Sequence, residues 1–111
     1  MAKPLSRATS RYAAEALSYL GRLIREARLA RKETLADLAE RAGISRGLLQ
    51  RIEAGDPGCS IGAVFETAAL VGIRLFDLDQ KTLAASNDAL AGKLVLIPRA
   101  RPARAEVNDD F

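Results

Sequence analysis

The sequence predicts an all-α fold, and three observations point to it. Apolar residues recur at spacings of three and four through most of residues 10–72. The runs are punctuated by Thr34, Ser45 and Ser60 at their starts and by Gly43, Gly55 and Gly72 at their ends, the residue types that cap helices at those two ends. With two Tyr, three Phe and no Trp, the core is left to Leu, Ile, Val and Ala, which suit a small helical domain.

The first helix begins near Ser10. Leu17, Leu20, Ile24 and Ala27 form one apolar stripe, and Arg22, Arg25, Arg28 and Arg31 form a basic one. The arginines away from any partner read as a solvated face that attracts polyanions at long range. Gly21, inside this helix, marks either a boundary between an N-terminal extension and the helix proper or a close backbone contact. Thr34, three residues before Asp37, starts a second helix with Leu35, Leu38, Ala39 and Ala42 inward, ended by Gly43. Ser45 starts a third, with Leu48 or Leu49, Ile52 and part of the Arg51 stem inward, ended by Gly55. Asp56-Pro57-Gly58-Cys59 is a loop. Ser60 starts a fourth helix, with Ile61, Val64, Phe65, Ala68, Ala69 and Val71 as buried candidates. Ile73–Asp79 fits either a short fifth helix or a strand. Residues 80–92 are Ala-rich and helical in part. Lys93–Pro98 is the most strand-like run, although Leu83, Leu90, Leu94 and Ile97 keep helical spacing. Residues 99–111 read as a tail.

Composition and charge exclude several functions. Without His there is no imidazole acid–base chemistry and no His-ligated metal. The single Cys, Cys59, cannot form an internal disulfide or a zinc site, which fits a reducing compartment. No Gly-rich phosphate loop is present, so catalysis, cofactors and small-molecule substrates are not expected. No apolar run approaches the ~20 residues that span a bilayer, and no apolar segment follows the basic start as in a signal peptide, so a cytoplasmic protein is expected. The net charge of +3 is unevenly placed: residues 1–31 hold seven basic groups against two acidic, and residues 56–92 two against five. One anion-binding face follows.

Thr34–Gly55 carries the function. A helix, a three-residue turn containing glycine and a second helix have the spacing of a helix-turn-helix. Ala39 is small where the two helices cross, and Gly43 can leave the first helix with positive φ. Ile44, Leu49 and Ile52 lock the second helix onto the first, leaving Ser45, Arg46, Gly47 and Gln50 outward, where a helix can meet base edges in a major groove. Arginine can bond guanine O6 and N7, and the helix N-termini at Thr34 and Ser45 suit phosphate oxygens.

The run LGRLIREARLARKETLADLAERAGISRGLLQRIEAG resembles the λ-repressor/Cro-like (XRE-type) helix-turn-helix domains. Leu38-Ala39, Gly43-Ile44-Ser45, Ile52-Glu53 and Gly55 fall in step, and the likeness covers about residues 20–79. It implies a five-helix domain that binds double-stranded operator DNA, with Arg46, Gly47 and Arg51 facing bases, Gln50 nearby, Thr34 at a phosphate and an ion pair between Arg28 and Glu53. One departure bears on these roles. The loop after the reading helix is acidic and neutral, so phosphate contacts there fall to backbone amides or Ser60. Gly47 weakens its helix, or else lets a base approach closely.

The layout as a whole, with a basic helical extension over residues 1–19, a Leu-rich segment over 80–98 and the tail PRARPAR…DDF, resembles HipB-type antitoxins. That resemblance implies a repressor that forms homodimers, controls its own operon and binds a HipA-like serine/threonine kinase toxin. The other reading is a stand-alone XRE-type regulator with no toxin partner. Leu83, Leu90, Leu94 and Ile97 are expected at a dimer interface, because a palindromic operator needs two reading helices about 34 Å apart; covering the domain's own core is the plainer role. Asp109, Asp110 and Phe111 are read either as solvated tail or as an anchor for the partner. Cys59 is read as an inert loop thiol.

Overall fold

The computed structural model describes residues 9–99, and among these every regular element is helical. The elements are α1 (Arg11–Ala30), α2 (Leu35–Ala42), α3 (Arg46–Glu53), α4 (Ile61–Leu70), a single 3-10 turn at Leu75–Asp77 and α5 (Gln80–Val95). The all-α expectation holds. The chain divides into two units, Met1–Asp77 and Leu78–Phe111.

In the first unit, all four helices start at a hydroxyl side chain. The oxygens of Ser10, Thr34, Ser45 and Ser60 each accept the backbone N–H three residues ahead. These bonds satisfy amides that have no intrahelical acceptor. At Thr34 the bond is reciprocal, since the Asp37 carboxylate also accepts the Thr34 N–H. The core is Ile24 from α1, Leu38 and Ala39 from α2, Leu49 and Ile52 from α3, and Val64, Ala68 and Val71 from α4 and its end. α1 packs on α3 and α4, and α2 packs on the same two helices.

Gly21 is no boundary: α1 runs unbroken through it. A Cβ there would lie 2.5 Å from the Ile52 carbonyl oxygen and 2.6 Å from that of Glu53, so the backbones of α1 and α3 meet at this point. Arg31 departs from the expected solvated stripe. Its Nη1 donates to the Leu70 carbonyl at 2.9 Å and closes the C-terminus of α4. Ile61 and Ala69 are exposed rather than buried, and Thr67 is fully buried in their place. α4 is apolar nearly all round, so periodicity alone does not choose its inner face. Residues 64, 67, 68 and 71 line it, and Thr67 is tolerated there because its hydroxyl donates to the Ala63 carbonyl at 2.7 Å.

Residues 73–79 form neither an α-helix nor a strand. Phe76 and Asp77 take φ of 57° and 59°, which breaks any regular repeat, and the Phe76 ring meets Phe65 edge-on at 6.3 Å. In the second unit, Asp79 caps α5 by accepting the Thr82 N–H, and the helix continues through Val95. The strand reading of Lys93–Pro98 is therefore overturned in favour of its helical alternative. The β-prone side chains there follow a helix that is already nucleated, and propagation is easier than starting a new element. No residue of α5 is buried. Among the described residues no helix is long and apolar enough to cross a membrane.

Candidate nucleic-acid interface

α2, the turn at residues 43–45 and α3 form the motif. Gly43 takes φ of 69°, and the Ile44 N–H returns to the Ala39 carbonyl at 3.0 Å. Ile44 is thereby turned toward the core, and Ser45 is placed to start α3. Leu49 and Ile52 anchor one side of α3, with Leu48 half-buried. The opposite side carries Arg46, Gly47, Gln50 and Arg51, all exposed. Residues 46 and 50, and 47 and 51, are each four apart, so the four share one face.

Three contacts set the angle of that face. The first is the Gly21 crossing beneath the last turn of α3. The second is a bidentate ion pair: Arg28 Nε donates to Glu53 Oε2 at 2.7 Å and Nη2 to Oε1 at 3.0 Å, while Nη1 donates to the Glu33 carbonyl at 3.0 Å. The two side chains are 8% and 7% exposed. The hydrogen bonds to Glu53 raise the Arg28 pKa, so this buried guanidinium stays charged. The third contact is Gly55, at φ of 80°, against the backbone of Ser18 in α1.

The face itself is polar. Thr34 and Ser45 are exposed, and each hydroxyl accepts a backbone N–H from its own helix, at 3.0 Å from Asp37 and from Leu48. Each hydroxyl keeps its own hydrogen, which can be donated to a phosphate oxygen. Arg46 is exposed at the N-terminal end of α3, where a side chain reaches outward most freely. Gly47 has open space beyond it, its nearest neighbour being Ser45 Oγ at 4.0 Å from a built Cβ. Gln50 lines an open groove of about 240 Å³ together with Arg25, Leu35 and Ala54, with the Arg28–Glu53 pair at its base.

Arg51 is not a free cation. Its Nε donates to Asp56 Oδ2 at 2.8 Å, and Asp56 Oδ1 accepts the Gly58 N–H at 2.7 Å. The hydrogen bond from Arg51, aided by that from Gly58, holds the Asp56 carboxyl below its ordinary range, and the same bond raises Arg51. Reading the residues alone found Arg51 and missed Asp56. The signal was present, because a glycine ending a helix brings the residue after it back over the last turn.

Away from this face, Arg41 Nε donates to Glu33 at 2.7 Å and lowers the Glu33 pKa. Among the described residues no group of three or more Cys, Asp or Glu could hold a metal ion. Leu83 is half-buried, and Leu90, Leu94 and Ile97 are exposed on or just beyond α5. Asp109, Asp110 and Phe111 lie outside the described residues.

Comparison with known proteins agrees with the geometry. Residues 19–74 match a family described as helix-turn-helix domain. No curated protein matches the chain.

Proposed function

We propose a DNA-reading function, because this chain belongs to the helix-turn-helix domain family, whose motif binds DNA. The protein acts as a sequence-specific transcriptional repressor. Its α3 enters the major groove of an operator, with Arg46, Gly47, Gln50 and Arg51 toward the bases and Thr34 and Ser45 toward phosphates. Repression is by occlusion of the promoter in the cytoplasm, without catalysis and without a cofactor. The observation that carries this reading is the face of α3 formed by Arg46, Gly47, Gln50 and Arg51, exposed on a helix whose other side is locked to α1 and α2.

Two copies bind together, and the second unit supplies the contact through Leu83, Leu90, Leu94 and Ile97. At a finer level the XRE-type and HipB-type resemblances support an antitoxin that controls its own operon and neutralises a HipA-like kinase. Purification of the tagged protein from its native host, with mass spectrometry of stoichiometric partners, tests that level. A kinase of several hundred residues supports the antitoxin; a clean homodimer carrying only DNA supports a stand-alone regulator instead.

DNA reading is tested by footprinting. Arg46→Ala removes an exposed side chain that makes no hydrogen bond or ion pair among the described residues, so the fold is expected to be retained. If Arg46 bonds a guanine, the variant loses about 1–3 kcal/mol of discrimination at one base pair. An unchanged footprint and an unchanged base preference would overturn the assignment.

A further inference from the structure

We propose that Asp56 is a specificity-determining residue: it holds Arg51 as an oriented base-reading donor and withholds it from general use as a phosphate-seeking cation. The proposal rests on the reading that α3 faces DNA. It concerns a carboxylate outside α3, in the loop where a DNA-binding surface gains affinity from positive charge.

The placement of Asp56 is built into the fold. α3 ends with the Gly55 N–H on the Ile52 carbonyl at 3.0 Å and the Asp56 N–H on the Arg51 carbonyl at 3.0 Å. This pair of bonds requires Gly55 in the left-handed region, and it sets Asp56 directly over the turn that carries Arg51. Gly55 is in turn wedged on α1, since a Cβ there would lie 2.9 Å from Ser18 Cα. The Asp56 backbone is thus fixed to the core of the unit, and its carboxylate is fixed by the Gly58 N–H. Both carboxylate oxygens are engaged, one by the loop and one by Arg51.

Arg51 is 52% exposed on its side chain, and exposed ion pairs add little stability. The consequence of this pair is therefore orientational. Arginine carries five N–H donors in a rigid fork. Asp56 takes the one on Nε and leaves the hydrogens of Nη1 and Nη2, a parallel pair that fits guanine O6 and N7. Gly58 leaves room for the held fork, because a Cβ there would sit 3.3 Å from Arg51 Nη2. The carboxylate also repels phosphates, and it offsets the charge with which an unheld Arg51 would attract any duplex. Repulsion of phosphates weakens every duplex alike, whereas orienting Arg51 favours the right sequence and withholding its charge disfavours the rest, so the ratio of specific to non-specific binding rises only through Arg51.

The test starts with affinity selection of a preferred duplex from a random pool by the wild-type protein. Dissociation constants are then measured on that duplex and on a scrambled one for wild type, Asp56→Asn, Arg51→Ala and the double variant. Asp56→Asn keeps an oxygen for the Gly58 N–H but loses the charge that holds Arg51. Asp56→Ser, with a hydroxyl acceptor for the same N–H, is the second variant, and thermal melting checks both. We expect Asp56→Asn to tighten scrambled-duplex binding, to lower the specificity ratio about tenfold and to relax preference at one base-pair position. In the Arg51→Ala background the same change leaves the ratio unaltered. Equal tightening on both duplexes with the ratio intact would overturn the proposal and leave Asp56 as a simple phosphate repellent. An equal fall in the ratio without Arg51 would also overturn it. A wild-type protein that selects no duplex would instead refute the DNA-binding reading, and this proposal with it.

Discussion

At Gly21 two opposing effects meet. In an isolated helix, alanine is favoured over glycine by ~1 kcal/mol. Here the added methyl would lie 2.5 Å from a backbone carbonyl of α3, closer than real Cβ atoms come, and neither backbone is the far end of a flexible side chain. Overpacking of this kind costs ~1–3 kcal/mol or more, and the closeness of the clash puts it at the upper end. Gly21→Ala is therefore expected to destabilise the protein by about 2–3 kcal/mol, seen as a lower urea midpoint. A rise in the midpoint would mean that α1 and α3 do not cross as described. The Arg28–Glu53 pair presents a similar contrast. Breaking a buried pair by removing one partner costs ~3–5 kcal/mol, because the remaining charge is stranded, although replacing both partners together can be nearly neutral. The pair therefore fixes the angle of α3 more surely than it adds net stability.

Among the elements, the four helices of the first unit end in the same way. At each end a residue with positive φ bonds back to the carbonyl three residues earlier, and the next N–H reaches the carbonyl five residues earlier. Gly43, Gly55 and Gly72 occupy this position after α2, α3 and α4, but after α1 it is Lys32, at φ of 56°. A side chain in the left-handed region costs ~1–2 kcal/mol, whereas glycine loses ~0.5–1 kcal/mol more entropy on folding than a residue with a side chain. Lys32→Gly is expected to stabilise the protein by about 0.5–1 kcal/mol, read from the thermal or urea midpoint. A loss of stability would show that the Lys32 side chain makes a contact worth more than its strain. The residues on either side, Arg31 and Glu33, already tie α1 to the end of α4 and to Arg41.

For the protein as an assembly, the weight falls on the second unit. α5 has 16 residues, none of them buried, and Leu90, Leu94 and Ile97 are 54%, 58% and 53% exposed. In proteins most helical stability comes from packing of an apolar face, so α5 would gain from apolar surface supplied by a second copy. In the dimer proposed above, a second copy would meet this need and would also pair two α3 faces on a two-fold operator. Leu94→Asp is accordingly expected to give monomers by light scattering, with a fall in helical circular dichroism confined to the fraction that α5 contributes. A persistent dimer would place the contact elsewhere. Since Arg46 and Arg51 belong to the other unit, the monomer should keep its half-site footprint while losing affinity for a full palindrome.

The helical class, the limits of α2, α3 and α4, the motif and the outward placement of Arg46, Gly47 and Gln50 on α3 were legible in the order of residues. They follow from short-range physics: cap residues, glycines with positive φ, and a period of three to four. What depends on long-range contact emerged only from the folded chain. Packing turned Gly21 from a possible boundary into a crossing point, assigned Arg31 to the end of α4, and chose Thr67 over Ile61 and Ala69 for burial. It also brought Asp56 onto Arg51, because a helix ending on glycine against α1 can return its chain to only one place. A periodicity marks a face on one helix; only packing against the other helices decides which side of an apolar helix is inward and which charges meet.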